Sequence, residues 1–347
     1  MKPIHTGLIG FGFSGSTFHA PVIKAVQSLE ITKVLSSKPE IVKQSLPEAK
    51  VTTSLEDILK DPALELVIIT SPNETHYPYA RDALSAGKHV VVEKPFVNHT
   101  KEADELIQLA KDQNRILSVY QNRRYDSDFL TIRKCLDQNI PGTVHTYKAH
   151  FNRYRPQVKD RWREWDLPGS GLLYDLGSHL IDQALVLFGF PETVFAELLK
   201  QRPQAKTTDY FQLVLGYESG LRVILEAGCL VKSPGPRYEI HGTKGTLIKY
   251  GMDPQEDQLK KGLDPNSPGW GEESPDQYLK AVYEKDGLEF SATIPSLTGC
   301  YEVYYQQLAE AIRTGTRPPV TAEEARETIR IIEAAIKSHR EGRRIDL

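Results

Sequence analysis

Cysteine is scarce in this chain. Its 347 residues include three, Cys135, Cys229 and Cys300, odd in number and far apart. They offer neither a disulfide framework nor the close pairs of a zinc knuckle, so a reducing compartment is the expectation. No apolar run approaches the roughly 20 residues of a membrane-spanning helix, and the N-terminus lacks the basic, apolar and small-residue order of a secretion signal. A cytoplasmic chain without membrane contact is therefore expected by elimination. Excess positive charge is also missing: 43 Lys and Arg face 46 Asp and Glu, a formal net charge of -3. The basic clusters are short, at Arg123-Arg124 and at 340–344, and that distribution gives no electrostatic case for nucleic acid. Neither an HExxH pattern nor a histidine-rich stretch is present, so no metal is expected.

What is present is a regular alternation. The length allows two domains of about 150 residues or more each. Residues 6–10, 31–35, 66–69, 89–93 and 116–120 are short apolar runs that read as strands. Helical stretches lie between them, among them 17–26 and 101–112. Ser54-Leu-Glu-Asp57 has the form of a capping box, Asn73 can cap the helix after it, and Gly87 can end that helix. Strands alternating with helices predict a parallel sheet with right-handed crossovers, so residues 1–122 are expected to form a doubly wound α/β domain. Beyond them, period-two segments at 143–151, 210–217, 221–229 and 238–248 predict a large, mostly antiparallel sheet. A strong helix at 171–188 interrupts it, 251–275 reads as a long surface loop, and two helices close the chain. Thr321-Ala-Glu-Glu324 is a capping box for the last. Residues 123–347 are thus expected to form an α+β domain.

Gly10-Phe11-Gly12-Phe13-Ser14-Gly15 follows the first strand and opens the first helix. In a dinucleotide site the first glycine makes the tight turn, the second lets backbone approach a pyrophosphate, and the third lets helix and strand pack closely. The second strand then bears on the cofactor. An NAD site places a carboxylate about 20 residues past the glycines, to bind the ribose hydroxyls. Here the strand ends Val34-Leu35-Ser36-Ser37-Lys38, with no acid before Glu40. Two hydroxyls and a cation suit a 2′-phosphate, which predicts NADP(H) over NAD(H); the plainer reading makes Lys38 a solvated loop residue.

In open α/β sheets, ligands collect at the carboxyl ends of the strands. Three further strand ends carry polar clusters: Thr70-Ser71-Pro72-Asn73 with His76, Glu93-Lys94-Pro95, and Gln121-Asn122-Arg123-Arg124. Of these, Thr70, Ser71, Pro72, Asn73, His76, Glu93, Lys94, Asn122 and Arg123 are the candidate cofactor contacts. Pro95 forces Lys94 out of the helical region and permits a cis bond, which aims the lysine. A lysine that merely reaches solvent from a strand end is the alternative. In the helix 171–188, Asp175 and His179 are spaced i, i+4 and share a face, the arrangement of a base and the group that orients it. An ordinary surface pair has the same spacing.

Together, Gly10-x-Gly12-x-x-Gly15, Ser71-Pro72-Asn73-x-x-His76, Glu93-Lys94-Pro95 and Asp175-x-Gly-x-His179-x-x-Asp182 resemble the Gfo/Idh/MocA oxidoreductase family over essentially the whole chain. The serine pair, with the segment from Asp253-Pro-Gln-Glu-Asp257 to Pro268-Gly-Trp-Gly271, is similar to the branch that includes NADP-dependent scyllo-inositol dehydrogenases. The resemblance implies a catalytic set of Lys94, Asp175 and His179, with Arg161, Trp162 and Arg163 bordering the cofactor. Gly169-Ser-Gly171 departs mildly from the family's glycine run. The expected reaction is reversible hydride transfer between the nicotinamide and a secondary alcohol of a polyol, sugar or inositol. His179 is expected to take the proton, with Asp175 orienting its ring and Lys94 stabilising the alkoxide; swapped roles for Lys94 and His179 are the alternative. Reduction of a dicarbonyl or unsaturated substrate is an alternative, as is a sensor or corepressor that binds dinucleotide without chemistry. Arg153, Tyr154, Arg155 and Tyr283 are candidate substrate contacts by polarity and position alone. An open antiparallel face needs cover, so a homodimer or homotetramer is expected.

Overall fold

The computed structural model describes residues 2–347. They form two compact units, neither of them one unbroken stretch. The first comprises the chain up to Tyr125 together with 254–271 and 300–326, and the second comprises 126–253, 272–299 and 327–347. The sequence division at 122–123 lies close to the end of the first stretch. The two later returns to the first unit depend on contacts distant in sequence, which local patterning does not record.

The first unit is built on six parallel strands: β1 (Ile4–Ile9), β2 (Leu29–Leu35), β3 (Lys50–Thr52), β4 (Leu66–Ile69), β5 (His89–Glu93) and β6 (Leu117–Tyr120). Their order is β3-β2-β1-β4-β5-β6, the doubly wound arrangement that alternation predicts. The four residues of β4 are buried throughout, as are the three valines of β5. β-Branched side chains suit a sheet covered on both faces. Strand β3, which the sequence reading lacks, has three residues and a single apolar one.

Local differences have local causes. The first helix begins as a wide π-type turn, Ser14–His19, and becomes α-helical at Ala20–Lys24. Ser54 does not cap the helix Leu55–Leu59; Thr52 donates to Asp57 at 2.5 Å and accepts the Ser54 N–H at 3.1 Å, closing the turn from two residues earlier. Asn73 lies inside a 3₁₀ turn, Asn73–Thr75, and so does not stand at the cap of the helix His76–Ser85. Gly87 does follow that helix in the left-handed region, at φ 72°. The Thr321 box forms on both sides: Glu324 accepts the Thr321 N–H at 3.1 Å and Thr321 Oγ1 accepts the Glu324 N–H at 3.2 Å.

The expected surface loop 251–275 is corrected most. It holds a helix, Gln255–Lys260, and Gln255, Leu259 and Trp270 are buried. Gln255 donates to the Tyr125 carbonyl at 3.1 Å and accepts the Tyr301 N–H at 2.8 Å; Trp270 donates to Glu302 at 3.1 Å. Its Pro, Gly and Asp residues mark the turns of a packed segment.

The second unit carries nine strands: β7 (Val144–His150), β8 (Thr193–Leu199), β9 (Tyr210–Gly216), β10 (Arg222–Gly228), β11 (Tyr238–Gly242), β12 (Gly245–Lys249), β13 (Leu279–Lys285), β14 (Leu288–Ile294) and β15 (Ile345–Asp346). The order is β14-β13-β12-β11-β7-β10-β9-β8-β15, antiparallel except where β7 meets β10. The segment 238–248, read as one strand, is the hairpin β11–β12. β13 and β14 join through Asp286-Gly287, both at positive φ, the hairpin signal that this dipeptide gives. β8 (TVFAELL) mixes strand and helix formers, so its period is ambiguous from sequence. Among the described residues, no helix is long and apolar enough to cross a membrane.

Candidate functional site

Sheet register brings the first unit's polar clusters to one edge. Ile9 pairs with Leu35 and Ile69, Ile69 with Val92, and Val92 with Val119. β1, β2 and β4 therefore end level and β5 and β6 run one residue further, so Gly10, Ser36, Thr70, Lys94 and Gln121 follow along one rim. Strand order reverses between β2-β1 and β4-β5, which makes this rim a topological switch point.

The glycine loop fits a dinucleotide by its backbone. Gly10 has φ 93°, a region that L side chains rarely adopt. A Cβ on Gly15 would lie 2.6 Å from the Gly10 carbonyl oxygen and 2.8 Å from Thr70 Oγ1, so only glycine packs there. A Cβ on Gly12 would meet nothing within 4 Å. That open space over bare backbone is what a pyrophosphate needs. Phe11 is buried, whereas Phe13 is exposed and meets Phe18 edge to face at 5.4 Å. Beyond β2, the Lys38 N–H donates to Ser36 Oγ at 3.1 Å, closing a small turn whose members Ser37 and Lys38 are exposed.

Buried hydrogen bonds fix the neighbouring strand ends. Thr70 donates to the Gly10 carbonyl at 2.9 Å. Ser71 and Thr75 share a hydroxyl contact at 2.5 Å, and Pro72 is extended before the turn. His76 Nδ1 lies 2.9 Å from the Pro95 carbonyl and its Nε2 lies 3.0 Å from that of Ser71, so one ring joins the ends of β4 and β5. Burial holds its pKa below the ordinary value, against the pull of the Pro95 carbonyl and the Glu93 charge. The Lys94–Pro95 bond is cis. Glu93 is buried yet ionised. Burial alone would raise its pKa, but hydrogen bonds from His19 and Ser14, with the Lys94 charge nearby, hold it at about 2. Asn122 and Arg123 are buried, and the Arg123 guanidinium donates to Glu256 at 2.5 Å. That partner comes from the segment read as a loop.

In the second unit, the helix over 171–188 begins with a wide π-type turn, Leu173–Gly177, before the regular helix Ser178–Phe188. Asp175 sits in the wide turn and His179, buried, in the first turn of the regular helix. Such turns recur at functional sites. Arg163 lies 3.5 Å from one oxygen of Asp175 and Arg153 3.8 Å from the other. Arg161, Arg202 and Cys229 line the same small cleft. Arg161 donates to Glu164 at 2.9 Å. Glu164 in turn accepts from Arg202 at 2.5 Å, and Arg202 donates to Asp209 at 2.8 Å. Burial and the cations Arg153 and Arg161 push the Arg155 pKa down. Tyr154 is half exposed, and Tyr283 stacks on Phe290 at 5.6 Å. The sequence reading missed His19, Glu164, Arg202 and Asp209; each is an ordinary residue until its distant partner is known.

The comparisons agree over both units. The description "Oxidoreductase family, NAD-binding Rossmann fold" matches residues 4–121, and "Oxidoreductase family, C-terminal alpha/beta domain" matches 133–347. The chain is 46% identical over 344 residues to scyllo-inositol 2-dehydrogenase (NADP(+)) IolW of Bacillus subtilis (strain 168), covering 99% of this chain and 96% of the relative. It is 42% identical to the uncharacterized oxidoreductase YdgJ of Escherichia coli (strain K12), covering 96% of each. The solved structure of yvaA from Bacillus subtilis superposes with a TM-score of 0.96 at 45% identity, covering 100% of both chains. With both units matched and near-complete coverage of such relatives, the chain belongs to the Gfo/Idh/MocA oxidoreductase family.

Proposed function

We propose that the protein is an NADP(H)-dependent oxidoreductase acting on a secondary alcohol of a polyol, sugar or inositol. The observation that carries this reading is the 46% identity, along 99% of the chain, to a protein named scyllo-inositol 2-dehydrogenase (NADP(+)). The turn of Ser36, Ser37 and Lys38, with no carboxylate at the end of β2, supports the phosphorylated cofactor.

When bound, the nicotinamide exchanges the hydride. The chain's own residues do the rest. The Lys94 ammonium binds the substrate oxygen and stabilises the charge that develops there as the hydroxyl proton leaves. The His179 imidazole takes that proton, and the Asp175 carboxylate orients the ring.

The test is oxidation of scyllo-inositol and a panel of other polyols and aldoses, with NADP+ and NAD+ in parallel, followed by NADPH or NADH absorbance. Turnover with an inositol or sugar and a higher kcat/KM for NADP+ are expected. Dinucleotide binding with no turnover across the panel would favour a sensor instead.

Self-association belongs to the same proposal. The exposed positions of β8 alternate with buried ones and include Phe195 and Leu199, and Val282 is exposed on β13. Apolar groups on a sheet face favour cover by a second copy. A monomer by light scattering at micromolar concentration would refute it.

A further inference from the structure

The contacts of Glu93 reach further than a cofactor contact requires. Its carboxylate gathers donors from three places in the first unit. These are the Ser14 hydroxyl in the glycine loop, His19 Nε2 at 3.1 Å, and the Lys94 backbone N–H at 2.7 Å. An ionised carboxylate only accepts, so the network places the His19 proton on Nε2. Nδ1 and the Tyr305 hydroxyl are hydrogen-bonded, 2.5 Å apart. Burial, with nearby Tyr120, raises the Tyr305 pKa, so that hydroxyl keeps its proton. Tyr305 stands on the helix Tyr301–Thr314, one of the returns of the chain to this unit. The Tyr120 ring closes the side of the cluster, 4.4 Å from His19 and 5.3 Å from Tyr305. His19 and Tyr305 are both 0% exposed, so a ligand at the strand ends reaches neither of them.

We propose that His19 and Tyr305 are positioning residues for dinucleotide binding. The chain Tyr305, His19, Glu93, Ser14 is a run of hydrogen bonds, buried up to Glu93 and part-buried at Ser14, that holds the glycine loop against the end of β5. One carboxylate thereby sets both the open backbone around Gly12 and the direction in which Lys94 leaves the sheet. Charge-assisted bonds are the strong ones, and buried networks couple their members, so loss of a remote hydroxyl is felt at the loop. The inference rests on the dinucleotide reading above and adds two residues that cannot touch the cofactor.

The experiment is a double-mutant cycle on Ser14→Ala and Tyr305→Phe, read by NADPH fluorescence titration, with circular dichroism and thermal melting establishing the fold of each protein. Tyr305→Phe is expected to weaken NADPH binding about three- to tenfold, the size of one lost buried hydrogen bond acting at a distance. In the Ser14→Ala background the same change has little further effect, because the link is already cut. Unchanged affinity in Tyr305→Phe overturns the proposal, as do fold-changes that simply multiply, which a merely structural role would give. Should Tyr305→Phe not fold, Glu93→Gln, which keeps shape and loses charge, replaces it in the cycle with the same two outcomes. If the wild-type protein binds neither NADPH nor NADH, the dinucleotide reading fails and this inference falls with it.

Discussion

Arg163 lies 3.5 Å from the Asp175 carboxylate while its guanidinium stacks on the neighbouring Trp162 ring at 4.6 Å. The indole fixes the plane of the cation, and the cation faces the carboxylate that is proposed to orient His179. Arg153 faces the other oxygen at 3.8 Å, so Asp175 is held from two sides. Neither distance is a hydrogen bond, and both pairs are partly open to solvent, so each contributes modestly.

Asp175→Asn is accordingly expected to lower kcat about a hundredfold or more, the cost of losing an oriented base. Arg163→Met should lower it only about three- to tenfold, as an exposed pair acting through another residue does. Steady-state kinetics on both variants checks the order. An Arg163 effect as large as that of Asp175 would make Arg163 a direct participant.

Lys94→Ala should lower kcat about 100- to 1,000-fold, the usual loss when a donor to a developing oxyanion is removed. NADPH should still bind, because the Lys94 backbone N–H that Glu93 holds is kept in alanine. Turnover assays and fluorescence titration separate the two effects. Near-normal turnover would refute the role.

Ser36→Asp places a carboxylate at the end of β2, where a 2′-phosphate is expected. NADP+ should lose about tenfold or more in kcat/KM, while NAD+ gains from a new acceptor for its ribose hydroxyl. Unaltered selectivity would move the phosphate elsewhere.

Acid should weaken the first unit in two stages. His89 accepts the Ile116 N–H on Nδ1 at 3.0 Å, and burial, then Arg115, pushes its pKa to about 4. A histidine depressed in this way contributes stability that is present above about pH 6.5 and lost as pH falls toward 4, because the unfolded chain binds the proton first. Glu93, at about 2, contributes stability present above about 4.5 and lost below it. Between pH 7 and 5 the His89 effect is about 1–2 kcal/mol, a few degrees in the unfolding midpoint. His89→Gln should flatten the melting profile in that window; an unchanged slope would assign it to other groups.

Much of this was legible before any coordinates. Helix lengths, the Gly87 stop and the Thr321 capping box follow from contacts within a few residues, which sequence order preserves. The Asp286-Gly287 hairpin was legible too, in a dipeptide that the strand reading passed over. The partly buried helix in 254–271 was not. Its composition is that of turns, and only the partners Tyr125, Tyr301 and Glu302 make it interior.

By itself the sequence determined the alternating strands, the glycine turn and the residue types at each strand end. Periodicity and backbone sterics act over a few residues and need no distant partner. Tertiary structure decided the rest. Register brought five strand ends to within one residue of level, and a return of the chain set Tyr305 beside His19. Two arginines were turned onto Asp175. Buried hydrogen bonds and ion pairs are chosen by three-dimensional proximity under a desolvation cost, and a one-dimensional order carries no distances.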